Sequence, residues 1–211
     1  MTQSLTLGDH PQEDKIADAA VYKLTPETLE AIWQELFDVE CRGSGEKAFD
    51  EEMFRGLLSN PKAILVLMRS LADNKLIGYT LANPDEDEED GKTSYIESTA
   101  IVPEFQGKKL VALLIDKLEE EMRNQGYEYM TRDSMEDNGY AAKISKLEGP
   151  SGRNRIVEEQ QEDDPHGLGY GLQRHFKLDI RNKVGNLLAS PQLPQVELDT
   201  TGQSRKTGHA I

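Results

Sequence analysis

The stretch "PEFQGKKL", Pro103 to Leu110, joins a strand-like segment to a long helical one. A helix start leaves its first backbone N–H groups without internal partners and carries the positive end of the macrodipole. Placed directly after a strand, such a start readily binds phosphate. Here the amides from Gln106 to about Leu110, the small Gly107, and the cations Lys108 and Lys109 outline a pyrophosphate cradle. The ordinary alternative is a strand-to-helix turn with solvated lysines, and local chemistry alone leaves both open. Other candidate groups are sparser. The run "DEDEED" (residues 85–90) lacks the spaced glycine of a calcium loop and reads as a solvated hairpin tip or a cation-attracting rim. His10, His166, His175 and His209 show no ligand spacing, so no metal site is expected. The single cysteine, Cys41, excludes an internal disulfide and is expected as a small buried group at the end of the first helix.

The elements that must position these groups belong to a chain of 211 residues with net charge −15. That charge argues against nucleic acid or an anionic membrane as partner and suits a cationic substrate. The longest apolar run, "AILVLM" from Ala63 to Met68, is too short to span a bilayer. The N-terminal residues show no basic region followed by an apolar stretch, so the cytoplasm is the expected address.

Residues 1–18 read as a loose arm, residues 19–180 as one domain, and residues 181–211 as a flexible tail with a short helix at "VGNLL". Within the domain "AVYKL" (Ala20 to Leu24) is a strand. A helix capped by Thr25 with Pro26 at its first position follows, ending near Glu40 before "RGSGEK". A second helix, "FDEEMFRGLLSN", precedes the strands "AILVLMRS", "KLIGYTLAN" and "TSYIESTAIV". The long helix is expected from Gln106 to Asn124, with Leu110, Leu114, Leu118 and Met122 buried. Then come the strand "YEYMTRD", a helix "NGYAAKISKL" capped by Asn138 or Asp137, and a closing hairpin of "RNRIVEEQQ" and "YGLQRHFKLDI".

The segment Tyr95 to Lys146 resembles the core of the GNAT N-acetyltransferase superfamily. In that family a strand runs into V-x-P-x-[FY]-[QR]-G-x-G-[IL]-[GA], followed by a long helix, a strand and N-x-x-A-x-x-[LF]-Y. Val102, Pro103, Phe105, Gln106, Gly107, Leu110 and Leu114 fall in step, as do Asn138, Ala141 and Ile144. The element order along residues 20–180 is similar too. The resemblance implies a single α/β (α+β) domain: a mixed, mostly antiparallel sheet with helices on both faces, its fourth and fifth strands diverging at one end. It further implies that Gln106, Gly107, Lys108, Lys109, Leu110 and Val111 hold the acetyl-coenzyme A pyrophosphate. Ala100, Ile101 and Val102 would hold the pantetheine arm, and Asn138 would sit near the thioester.

The implied reaction is acetyl transfer to a primary amine of a small molecule or protein. It needs a base for the ammonium proton and a group to stabilise the thiolate. Strand alternation puts Glu97 on one face with Tyr95, Thr99 and Ile101, where apolar neighbours would raise its pKa and suit it as base. A solvent-facing glutamate is the alternative. Asp133 is a second candidate base or a turn residue, and helix spacing sets Tyr140 off the face of Asn138 and Ser145. The pattern departs at three places: Lys109 and Val111 stand at the signature glycines, and Ser145 stands, as a poorer acid, where many members have the tyrosine that protonates the leaving thiolate. The resemblance thus makes Ser145 the candidate for that role. A catalytically lapsed binding module of the same fold is therefore the competing reading, and a homodimer is open in either case.

Overall fold

Thr25 begins the first helix as its sequence dictates: its hydroxyl accepts from the Thr28 amide, and the Thr28 hydroxyl accepts from the Thr25 amide at 2.8 Å. The computed structural model describes residues 15–137, 139–163 and 171–182; the expected arm through residue 14, the tail from residue 183 with its "VGNLL" helix, His10, His166, His209 and Asn138 lie outside them. The elements are β1 (Ala17–Tyr22), α1 (Pro26–Ser44), α2 (Glu51–Leu58), β2 (Ile64–Ser70), β3 (Leu76–Pro84) and β4 (Thr93–Ile101). They continue with α3 (Leu110–Asn124), β5 (Tyr129–Met135), α4 (Tyr140–Glu148), β6 (Ile156–Asp163) and β7 (Leu172–Asp179).

One seven-stranded sheet has the order β1-β2-β3-β4-β5-β7-β6, antiparallel throughout except for the parallel pair β4–β5. This is the expected mixed sheet, with β3 and β4 as a hairpin. Strand β1 starts at Ala17, inside the stretch read as an arm, because Ala17 pairs with Ser70 and extends the ladder from Leu65 to the end of β2.

Helices cover both faces. On one, α1 and α2 carry an aromatic cluster of Trp33, Phe37, Phe49 and Phe54 down onto Tyr79 of β3. Tyr79 donates to the buried Glu40 of α1 at 2.5 Å, and Glu40 also accepts from Ser44 and the Phe49 amide. Helix α1 runs four residues past its expected end. Gly43 stays inside it because an added Cβ would lie 2.9 Å from that of Ala100, so close approach to β4 overrides weak helix propensity. Cys41 is exposed, contrary to expectation: the buried stripe is Ile32, Trp33, Leu36, Val39 and Glu40, and Cys41 is turned off it.

On the other face lie α3, with the expected stripe of Leu110, Leu114, Leu118 and Met122, and α4. A buried ion cluster ties them to the segment before β6. Arg155 makes a two-pronged pair with Glu119 of α3 at 2.8 and 2.9 Å and donates through Nε to Glu148 of α4 at 2.8 Å. Arg155, Glu119 and Glu148 are all buried. Removing the cation would strand two carboxylates in the interior. Arg155→Ala is therefore expected to cost about 4 kcal/mol of unfolding free energy in urea titration, whereas a surface pair such as Lys15–Asp18 can be removed with little effect.

Candidate active site

Strands β4 and β5 pair only from Thr93 to Tyr95, opposite Tyr129 to Thr131. Beyond Tyr95 they part, as expected. Among the described residues, the edge of β4 that leads through Ala100 and Ile101 to Val102 then has no strand beside it on the β5 side. The split opens a cleft of about 530 Å³ whose walls include Glu40, Glu97, Val111, Arg132, Asp133 and Tyr140.

The chain enters α3 through a loop that differs from expectation in one respect. The helix starts at Leu110, not Gln106, because Gly107 and Lys109 both take left-handed backbone angles, φ 75° and 61°. The Gln106 amide is bonded to the Pro103 carbonyl at 3.2 Å, and its side chain donates to the Ile101 carbonyl at 2.8 Å. The Val102 amide is taken up by Ile77. From Gly107 to Val111, however, no backbone N–H meets an acceptor among the described residues, and no side chain caps α3. A Cβ added at Gly107 would meet nothing within 4 Å, so the space before these amides is open. Lys108 sits beside it, its ammonium 4.6 Å from the Phe105 ring centre. Successive open amides with alternating handedness form a concave anion site. It fits a diphosphate in charge and access.

The signature glycine that Lys109 replaces also acquires a reason. The position needs a left-handed backbone, which glycine adopts freely and a side chain adopts at a cost of about 1–2 kcal/mol. Val111 lines the cleft and packs partly on the core at once.

Glu97 lies in the cleft wall and accepts from Asn83 at 3.1 Å. Its strand does not alternate as expected. The β3–β4 register skips there, with Leu81 opposite Ser98 and Ala82 opposite Ile96, so Glu97 is the extra residue of a bulge. Tyr95 stays on the α1–α2 face, whereas Thr99 and Ile101 are moved to the other. The Thr80–Thr99 hydroxyl contact at 2.8 Å and the Tyr79–Ser98 bond at 2.9 Å mark the two sides.

On the α1–α2 face Asp133 accepts from the Tyr95 hydroxyl and shares a hydrogen bond with His175 Nδ1, both at 2.9 Å. Burial and the neighbouring Asp133 push the Tyr95 phenol upward, which keeps it a donor. The hydrogen bond to Asp133 raises His175 above its ordinary value against the opposing effect of burial, with smaller help from Asp85 and Glu158. The acidic hairpin leans over this side of the sheet: Thr131 donates to Asp85, and Glu88 pairs with Lys177 at 2.6 Å.

Ser145 is not brought to the cleft. Its hydroxyl donates to Glu159 and accepts from Arg174, both at 3.0 Å, on the side of α4 that faces the closing hairpin. Tyr140, set aside from sequence spacing, does line the cleft. Its helix begins at Tyr140 behind a left-handed Gly139, without a side-chain cap from Asp137. Sequence reasoning missed the link between His175 and Asp133, since no local pattern shows that β7 lies opposite β5. Among the described residues no group of three His, Cys, Asp or Glu side chains could hold a metal, and no helix is long and apolar enough to cross a membrane.

A seven-stranded sheet split at its single parallel pair, with an open, uncapped helix start at the mouth of the split, defines the fold class. The sequence profile of the Acetyltransferase (GNAT) family matches residues 26–145. The chain belongs to that family. Solved structures agree in fold. The ribosomal-protein-S18-alanine N-acetyltransferase from Escherichia coli is 15% identical with TM-score 0.58, the match covering 80% of this chain and 98% of that one. A spermidine N-acetyltransferase from Vibrio cholerae, in complex with CoA and spermine, is 14% identical with TM-score 0.55, covering 78% and 99%. A GNAT family acetyltransferase from Elizabethkingia anophelis with acetyl-CoA bound is 11% identical with TM-score 0.52, covering 77% and 98%. No curated protein sequence matches the chain.

Two outcomes follow from the geometry. Lys109→Gly should raise unfolding free energy by about 1 kcal/mol in urea titration, because it relieves the left-handed strain less the added chain entropy. For His175 the folded value lies above 6.5, so its contribution to stability is complete below that pH and is lost as pH rises through the folded value. The stability gap between wild type and His175→Gln, about 1 kcal/mol at mildly acidic pH after allowing for partial exposure, should close at alkaline pH.

Proposed function

We propose that the protein transfers an acetyl group from acetyl-coenzyme A to a primary amine of a small molecule or of a protein. The observation that carries this reading is the run of open amides from Gly107 to Val111 beside a β4 edge that has lost its partner. When bound, acetyl-coenzyme A would supply an electrophilic thioester carbonyl. Amides 107–111 would hold its diphosphate with Lys108 and Lys109 as added cations, and the β4 edge at Ala100 and Ile101 would face its extended arm. Asn138 is assigned to the thioester end from its place in the family pattern.

The acceptor amine must lose a proton as its nitrogen attacks. Glu97 is the base in this reading, since it stands in the cleft wall on the bulge, turned to the α1–α2 face. Asp133 has both oxygens engaged, by Tyr95 and His175, and serves better to hold its neighbours than to accept a proton. Glu40, Glu97 and Asp133 make the cleft walls acidic, which suits a cationic amine. One observation favours a non-catalytic binding module instead: Ser145, at the family's acid position, is engaged by Arg174 and Glu159 away from the cleft.

Calorimetric titration with coenzyme A tests the cradle. Wild type should bind, and Gly107→Pro should not, because proline cannot take φ 75° and removes one amide from the run. If wild type gives no heat at millimolar coenzyme A, the acetyltransferase reading fails.

A further inference from the structure

Among the described residues five buried side-chain polar atoms lack a hydrogen-bond partner, and three of them belong to residues lining the cleft: Arg132 Nε, Ser134 Oγ and Gln173 Nε2. Arg132 is 8% exposed and Ser134 5%. No carboxylate pairs with Arg132 among the described residues, in a chain with 39 acidic residues; its one marked contact is the Tyr140 ring, 5.1 Å away. The contrast with Arg155, equally buried and held by two carboxylates, is sharp. A buried N–H without an acceptor, such as Arg132 Nε, is costly unless a ligand atom completes it.

The register shows which side of the cleft needs that anion. Arg132 and Ser134 stand two apart on β5, opposite Phe176 and Arg174. Their side chains share the α4 face: Arg132 lies against Tyr140, and Arg174 reaches Ser145. Asp133 between them points the other way, to Tyr95 and His175. Strand β5 thus presents donors on one face of the slot and a carboxylate on the other.

The geometry points to Arg132 and Ser134 as the pair that holds the departing thiolate, a role the sequence suggested for Ser145; this rests on the acetyl-transfer reading. Arg132 and Ser134 receive the charge as the carbon–nitrogen bond forms at the thioester carbonyl and the carbon–sulfur bond breaks. The electron pair leaves on sulfur, and the guanidinium N–H and the serine O–H stabilise it until sulfur takes a proton from water. The proton shed by nitrogen passes to Glu97. The thiolate and the proton taken by Glu97 are thereby kept on opposite faces of the sheet.

The test compares binding of coenzyme A with that of desulfo-coenzyme A, which keeps the diphosphate and lacks the sulfur. Wild type should prefer coenzyme A by about tenfold at mildly alkaline pH, with a short-wavelength ultraviolet thiolate band in the difference spectrum against the desulfo-coenzyme A complex. Arg132→Gln should lose both the preference and the band while still binding desulfo-coenzyme A as wild type does. Ser134→Ala, a one-atom deletion that keeps the fold, should lower the preference in part. If wild type binds both ligands and Arg132→Gln leaves their ratio unchanged, the assignment of the pair to sulfur is overturned and the acetyl-transfer reading stands. If wild type binds neither, both fall.

Discussion

A parallel strand pair needs a crossover, and here the crossover helix α3 must leave β4 and return to β5 within one sheet. The pair holds together only over Thr93 to Tyr95, while β5 is paired along its full length with β7 on its other side. Everything at the site depends on that short ladder. It leaves one β4 edge unpaired, it places the open amides of residues 107–111 at the mouth of the gap, and it exposes both faces of β5 to the cleft.

The same constraint sorts the charges. Where the helices close over the sheet, buried charge is matched: Glu40 accepts from Tyr79, Ser44 and the Phe49 amide, and Arg155 is held by Glu119 and Glu148. Where the strands part, matching stops. Among the described residues Arg132 has no carboxylate, Ser134 Oγ has no partner, and the loop amides before α3 have no acceptor. Native interiors rarely leave such groups unsatisfied, and their concentration at one gap supports the ligand site proposed above.

Local sequence was a good guide wherever local forces ruled. Thr25 and Pro26 start α1, the apolar stripe of α3 is buried, and β3 and β4 form their hairpin, because capping, periodicity and turn chemistry act over a few residues. It misled where distant packing decided. Gly43 reads as a helix breaker, yet β4 lies so close that only glycine fits there. Cys41 reads as buried, yet the helix turns it outward. Glu97 reads as one of an alternating row, yet a bulge that no residue type announces splits that row.

The candidate site divides along the same line. Residues 106–111 and Glu97 could be singled out as candidates from the sequence alone, since a helix start after a strand and an acid in an apolar strand are local facts. So was the family's order of elements. Which amides stay open was not, because the left-handed turns at Gly107 and Lys109 delay the helix to Leu110. Nor were the bond between His175 and Asp133, the withdrawal of Ser145 to Arg174, and the isolation of Arg132. Each of these joins residues on separate elements, and only strand register and helix placement bring such residues together.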